Sequence, residues 1–144
     1  MAKEPPKVFI GYASEDKIAA IKLYDDLTRN GINAWLDKID LKPGDDWKYE
    51  IRKAIQNASF FIACFSDEYY KRNETFENEE LVQALERVRK QVNKTWLLPV
   101  LLTDCKVPDI DIGAGKTLLH IQSTKLYENW DDNIQKIIDV IKKN

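Results

Sequence analysis

Ser59-Phe60-Phe61-Ile62-Ala63-Cys64-Phe65 is the most hydrophobic stretch of the chain. A strand with one wet face alternates apolar and polar residues, whereas a strand covered on both faces reads as a nearly unbroken apolar run. The stretch therefore predicts a central strand sandwiched between helices, as in a parallel α/β sheet. Upstream, Lys7-Val8-Phe9-Ile10-Gly11-Tyr12 has the same character, and downstream so has Trp96 to Leu102.

Helical spacing fills the gaps between these runs. Ala20, Leu23, Tyr24 and Leu27 recur on one helix face, with Ser14 or Asp16 available as a cap and Gly31 as a left-handed stop. Ile32 to Leu36 reads as a second strand. Asp45 or Asp46 caps a helix whose apolar positions are Trp47, Ile51, Ala54 and Ile55. The polar segment from Ser66 to Asn78 leads into a helix presenting Leu81, Ala84, Leu85, Val88 and Val92. Thr103 to Lys116 reads as a loop, Leu118 to Ile121 as a short fifth strand, and Trp130, Ile134, Ile137, Ile138 and Ile141 as a last amphipathic helix. Alternating strands and helices form right-handed βαβ units. The expectation is a flavodoxin-like α/β fold: a five-stranded parallel sheet of order 2-1-3-4-5, with helices on both faces. Ligands of such sheets bind beyond the carboxyl ends of the strands, where the order reverses between strands 1 and 3. Tyr12 to Glu15, the loop from Asp37 to Trp47 and the segment after Phe65 would wall that crevice.

Composition narrows the function. With 144 residues, the expectation is a single domain, 1–144, with a core from about residue 7 to residue 142. A net charge of −2 argues against sequence-independent nucleic-acid binding, which needs a cationic face. The amino-terminal residues lack a signal peptide's apolar core, and no run approaches the roughly 18 apolar residues of a membrane helix. A cytoplasmic protein without membrane partners is expected. Cys64 and Cys105 fit free thiols in a reducing compartment. His120 is the only histidine, so a Ser-His-Asp triad or a His-based metal site has little to draw on.

Individual motifs are ambiguous. Gly113-Ala114-Gly115-Lys116-Thr117 resembles the tail of a phosphate-binding loop, but the glycine required five residues before Gly115 is Ile110. A phospho-receiver needs clustered carboxylates after strand 1 and an aspartate after strand 3. This chain has Tyr12-Ala13-Ser14 and Ser66 there. Trp35-Leu36-Asp37-Lys38-Ile39-Asp40-Leu41-Lys42-Pro43-Gly44-Asp45-Asp46-Trp47 is a charged loop between two aromatics, readable as an ordinary turn or as a contact surface. The run Glu86-Arg87-Val88-Arg89-Lys90 reads as a solvated helix face around Val88. Glu79 lies roughly 150° from the centre of the following helix's apolar face and Glu80 about 105°. Glu80 could line a cleft, but a solvated glutamate favouring the helix dipole explains its position as well.

Val8-Phe9-Ile10-Gly11-Tyr12-Ala13-Ser14-Glu15-Asp16 resembles the first box of TIR (Toll/interleukin-1 receptor) domains. Trp35 to Trp47 resembles their second box, the BB loop, and Ser59 to Ser66 their third strand. The similarity runs from Lys7 to about Lys142 and is nearest to bacterial members. Gly11, where serine is commoner, and Phe76, where many relatives carry tryptophan, depart from the pattern. The resemblance implies cleavage of NAD⁺ at the nicotinamide–ribose bond by one glutamate on the helix after strand 3, namely Glu80, with Glu77 as understudy. It also implies that Tyr12, Ala13, Ser14, Asp37, Lys42, Asp46, Trp47 and Ser66 line the substrate crevice. NAD⁺ would be substrate rather than cofactor, and no metal is required. Other TIR domains are the implied partners, docking through the BB loop. An effector of bacterial antiphage immunity, activated by assembly and carrying a further sensor module, is the implied setting, with a non-enzymatic TIR–TIR scaffold as the alternative.

Overall fold

A computed structural model of the protein describes residues 7–68, 79–90 and 95–143. Along the chain run β1 (Lys7–Gly11), α1 (Lys17–Arg29), β2 (Asn33–Trp35), α2 (Asp37–Asp40), α3 (Trp47–Asn57), β3 (Phe60–Phe65) and α4 (Glu79–Lys90). They continue as β4 (Leu97–Leu101), β5 (Asp111–Gly113), β6 (Lys116–Thr117), β7 (Thr124–Lys125) and α5 (Trp130–Lys143). The main sheet is parallel, of order β2-β1-β3-β4-β7. This is the expected 2-1-3-4-5 order, with the last position taken by the chain's seventh strand.

The apolar run of β3 is buried at every residue because its two sets of side chains enter two different cores. Phe61, Ala63 and Phe65 pack with Phe9 beneath Ile51 and Ile55 of α3 and Leu81, Ala84 and Leu85 of α4. Phe60, Ile62 and Cys64 pack with Val8 and Ile10 against Leu23 and Leu27 of α1 and Ile134, Ile137, Ile138 and Ile141 of α5. A strand alternates faces at every residue, so a layer on each side demands an apolar side chain at each position.

Four aromatic rings form a file across the first of these cores. Trp35 stacks on Phe9 with centroids 5.0 Å apart, Phe9 on Phe61 at 5.1 Å, and Phe61 meets Trp96 at 5.7 Å. Gly11 follows from this file. A Cβ at Gly11 would lie 2.7 Å from Cζ of Phe61, so the serine common at this position in the family pattern has no room beside the ring. Trp96 is anchored by its indole N–H, which donates to the Ala58 carbonyl at 3.0 Å.

Three expectations change. Leu118 to Ile121 is not a strand. Leu118–His120 is a 3-10 turn in which the Thr117 hydroxyl accepts from Leu119 N–H and His120 Nδ1 accepts from Thr117 N–H. Only Leu118 of that turn is buried, and Thr124–Lys125 pairs with Val100–Leu101 instead. The supposed loop from Thr103 to Lys116 contains β5, which pairs antiparallel with β6. Arg87 is not merely solvated: its guanidinium sits 4.4 Å from the Trp96 ring centroid and donates to the Ile55 carbonyl at 2.8 Å. It thereby serves the carboxyl-terminal end of α3, where helix carbonyls lack intrahelical partners. The reading of Val92 as a core residue falls outside the described residues.

Candidate functional site

Beyond the carboxyl ends of the first three strands, Tyr12 follows β1, Asp37 follows β2, and Glu80 lies in the first turn of α4. The Tyr12 hydroxyl donates to Asp37 Oδ1 at 2.6 Å. Burial, then the hydrogen bond and charge of Asp37, then the charge of Glu80 hold the Tyr12 phenol well above its usual range. The phenol therefore stays protonated, its hydrogen held by Asp37. Both acids favour the neutral phenol for the same reason: a phenolate beside them would be a third negative charge in a half-buried site. Tyr12 and Asp37 thus meet beyond the carboxyl ends of the strands, within reach of the charge of Glu80, at the end of the sheet where parallel α/β folds bind ligands.

The loop from Asp37 to Trp47 is held by its own aspartates. Asp40 accepts from Leu36 N–H at 2.8 Å and closes the single turn of α2. Asp45 accepts from Lys42 N–H at 2.9 Å across the Pro43-Gly44 turn. Asp46 accepts from Tyr49 N–H at 3.2 Å and is the N-cap of α3. Short carboxylates suit this task because they reach backbone donors left unpaired at turns and helix starts. Much of the loop's negative charge is therefore structural. Its apolar side chains Ile39 and Trp47 are exposed, as is Tyr49 two residues further along α3.

A second anchor lies beside the first. Ser66, fully buried at the end of β3, donates its hydroxyl to Asp16 Oδ2. Asp16 occupies the N-cap position of α1, but its side chain makes no capping bond there. Burial raises its pKa, the Ser66 bond lowers it, and the charges of Glu15 and Glu68 raise it again, leaving it above the ordinary carboxylate range. The tie fixes the turn after β1, where the Ala13 carbonyl accepts from Asp16 N–H at 2.8 Å. Cys64, one strand position earlier on the other face from Phe65, has its thiol pushed up by burial and then by Asp16, which makes it a poor nucleophile.

Of the residues expected at the site, Tyr12, Asp37 and Glu80 come together. Ala13 is buried and Ser14 exposed in the turn that Asp16 and Ser66 hold. Lys42, Asp46 and Trp47 stand exposed on the loop. Glu77 and Phe76 lie outside the described residues, as does the side chain of Glu79. Asp16 was legible only as a helix cap, and its bond to Ser66 joins residues fifty positions apart. The glycines after Ile112 make the β5–β6 turn, with φ of +56° at Ala114 and +73° at Gly115. This is hairpin geometry rather than a phosphate cradle. Among the described residues no group of three or more His, Cys, Asp or Glu is arranged to hold a metal ion, and no helix is long and apolar enough to cross a membrane.

A family model for the TIR domain matches residues 8–138. The chain belongs to the TIR-domain family. The solved TIR domain of the Toll-related receptor TRR-2 from Hydra magnipapillata superposes with a TM-score of 0.67 at 24% identity, over 94% of this chain and 97% of that one. At that identity the likeness speaks for the fold. In sequence, this TIR domain is 37% identical over 76 residues to the 2′ cyclic ADP-D-ribose synthase BtTIR of Bacteroides thetaiotaomicron, covering 50% of this chain and 26% of the relative. It is 32% identical over 69 residues to the NAD(+) hydrolase PdTIR of Paracoccus denitrificans, covering 47% and 23%. These matches thus span about a quarter of the length of either relative.

Proposed function

We propose that this TIR domain cleaves the nicotinamide–ribose bond of NAD⁺, with Glu80 as the catalytic carboxylate. The observation that carries the reading is the place of Glu80, in the first turn of α4 beyond the carboxyl end of β3, with its charge acting on the Tyr12 phenol that is bonded to Asp37. The named activities of the Bacteroides and Paracoccus relatives support it.

The chemistry asks little of the protein. Nicotinamide leaves a cationic ring as a neutral pyridine, so no general acid is needed, unlike ordinary glycoside cleavage with its two carboxylates. What remains is to orient the ribose and to stabilise the oxocarbenium-like transition state. Glu80 accepts hydrogen bonds from ribose hydroxyls and sets its charge near the developing cation. Tyr12 remains protonated and spends its one hydroxyl proton on Asp37, which fixes that carboxylate at the crevice. Ala13 and Ser14 present backbone and hydroxyl groups to the dinucleotide, while Lys42, Asp46 and Trp47 border it from the loop. The products are nicotinamide with ADP-ribose or a cyclic isomer, and the setting is an assembly-activated effector in bacterial antiphage immunity, coupled to a sensor module.

The test is Glu80→Gln, with nicotinamide release followed by chromatography and the fold checked by circular dichroism and melting temperature. Release is expected to fall to background in a protein that melts normally. NAD⁺ consumption at the wild-type rate by the folded variant overturns the assignment. The exposed Ile39, Trp47 and Tyr49 favour a second reading, a TIR–TIR contact module. Concentrated protein with and without an oligomerising fusion separates the two: self-association with no turnover in either form supports the scaffold.

A further inference from the structure

Along β2, between that edge strand and α3, lies a cavity of about 230 Å³. We propose that it binds a neutral planar heteroaromatic base of nucleobase or pyridine-carboxamide size. It contains Lys7 and Asn33, the first residues of β1 and β2, and Asn57, the last of α3. It runs from there to Trp35, the last residue of β2, and none of Tyr12, Asp37 and Glu80 lines it.

The cavity exists for a local reason. Glu50, Ala54 and Asn57 recur at i, i+4 and i+7 and so share one face of α3, which looks onto Trp35 and Phe9. Ala54 is the small member of that face, and the space a longer side chain would fill stays open beside the two rings. Trp35 is stacked on Phe9 and held by the rest of the aromatic file, so it is a rigid wall. Among the described residues, the Trp35 indole N–H, the Asn33 and Asn57 amides and the Glu50 carboxylate have no protein hydrogen-bond partner. Donors and acceptors thus rim an aromatic wall without being consumed by the fold.

Size and charge select the ligand. Pockets for drug-sized molecules hold roughly 300–1,000 Å³, so this one suits a single ring system rather than a dinucleotide. Aromatic side chains give planar bases a stacking surface that tolerates ring identity, and paired amide groups supply the edge hydrogen bonds. Lys7 and Lys53 stand at the rim against the single carboxylate of Glu50. The balance is one positive charge, which favours a neutral base over a pyridinium cation.

The experiment is a ¹H–¹⁵N titration of the full chain with adenine, with nicotinamide, and with the non-aromatic cyclohexanecarboxamide. The Trp35 indole resonance is assigned by its loss in Trp35→Phe. Saturable movement of that resonance and of the Asn33 and Asn57 side-chain amides is expected with an aromatic base. Saturation by adenine alone identifies a nucleobase site, and saturation by nicotinamide alone a site for the pyridine carboxamide. Ala54→Leu, which fills the space, is expected to weaken binding at least about tenfold, equivalent to about 1.4 kcal/mol. Should that variant fold poorly, Asn57→Ala, at an exposed position, reports the same loss. No saturable shift with either base, or equal binding of cyclohexanecarboxamide, overturns the proposal. Because the readout is binding at Trp35, its failure is distinct from any failure of the Glu80 assignment.

Discussion

Gly11→Ala tests whether the aromatic file is as rigid as its geometry implies. The added Cβ would stand 2.7 Å from Phe61 Cζ, about 0.8 Å inside the roughly 3.5 Å of an ordinary carbon–carbon contact. A free phenyl ring could swing aside. Phe61 is held between Phe9, with ring planes 9° apart, and Trp96, which is itself tied to Ala58. Overpacking a filled core costs about 1–3 kcal/mol. Replacing glycine stiffens the unfolded chain and returns about 0.4–1 kcal/mol where the backbone fits. A net loss of about 1–2 kcal/mol follows, or roughly 3–8 °C in melting temperature for a chain of this size. The assay is thermal or urea unfolding of wild type, Gly11→Ala, Phe61→Leu and the double variant. Because the two residues touch, the double variant is expected to lose less than the sum of the single losses. A Gly11→Ala protein as stable as wild type, or strictly additive losses, refutes the reasoning.

Three further outcomes are expected. Tyr12 has its phenol raised, so the neutral form contributes stability that is complete below its ordinary pKa near 10 and declines as pH rises above it. Tyr12→Phe is accordingly expected to be less stable at neutral pH and to show a shallower alkaline decline, read as melting temperature from pH 8 to 11. A decline as steep as that of wild type counts against the Tyr12–Asp37 pair. Asp16 is also raised, so its ionisation above the ordinary carboxylate range weakens the fold. Asp16→Asn, which keeps an acceptor for Ser66, is expected to melt at or above wild type at pH 7 and to lose that advantage near pH 3.5. A lower melting temperature at pH 7 contradicts the burial argument. Asp46→Ala removes the N-cap of α3 and is expected to cost about 0.5–2 kcal/mol in urea unfolding, with Asp46→Ser recovering most of it. A Ser variant no better than Ala means that the cap is not what Asp46 contributes.

The architecture was legible in the residue pattern because it rests on local periodicity. An apolar residue at every position from Phe60 to Phe65 requires cover on both faces, and helical spacing between such runs leaves few ways to supply it. A cap at Asp45 or Asp46 was legible from residue type, and the order of strands put Tyr12, the Asp37–Trp47 loop and the segment after Phe65 around one crevice, while the choice of Asp46 belongs to the structure. The last strand did not, since the apolar residues from Leu118 to Ile121 look more strand-like than Thr124–Lys125. The outcome hangs on a Thr117–His120 capping exchange and on which backbone reaches Val100 and Leu101. Long-range packing alone reveals that Asp16 turns to Ser66, that Arg87 leaves solvent for Trp96 and the end of α3, and that Gly11 makes room for Phe61. Each depends on a side chain meeting a partner far away in the chain, and spacing along one element carries no information about what lies across from it.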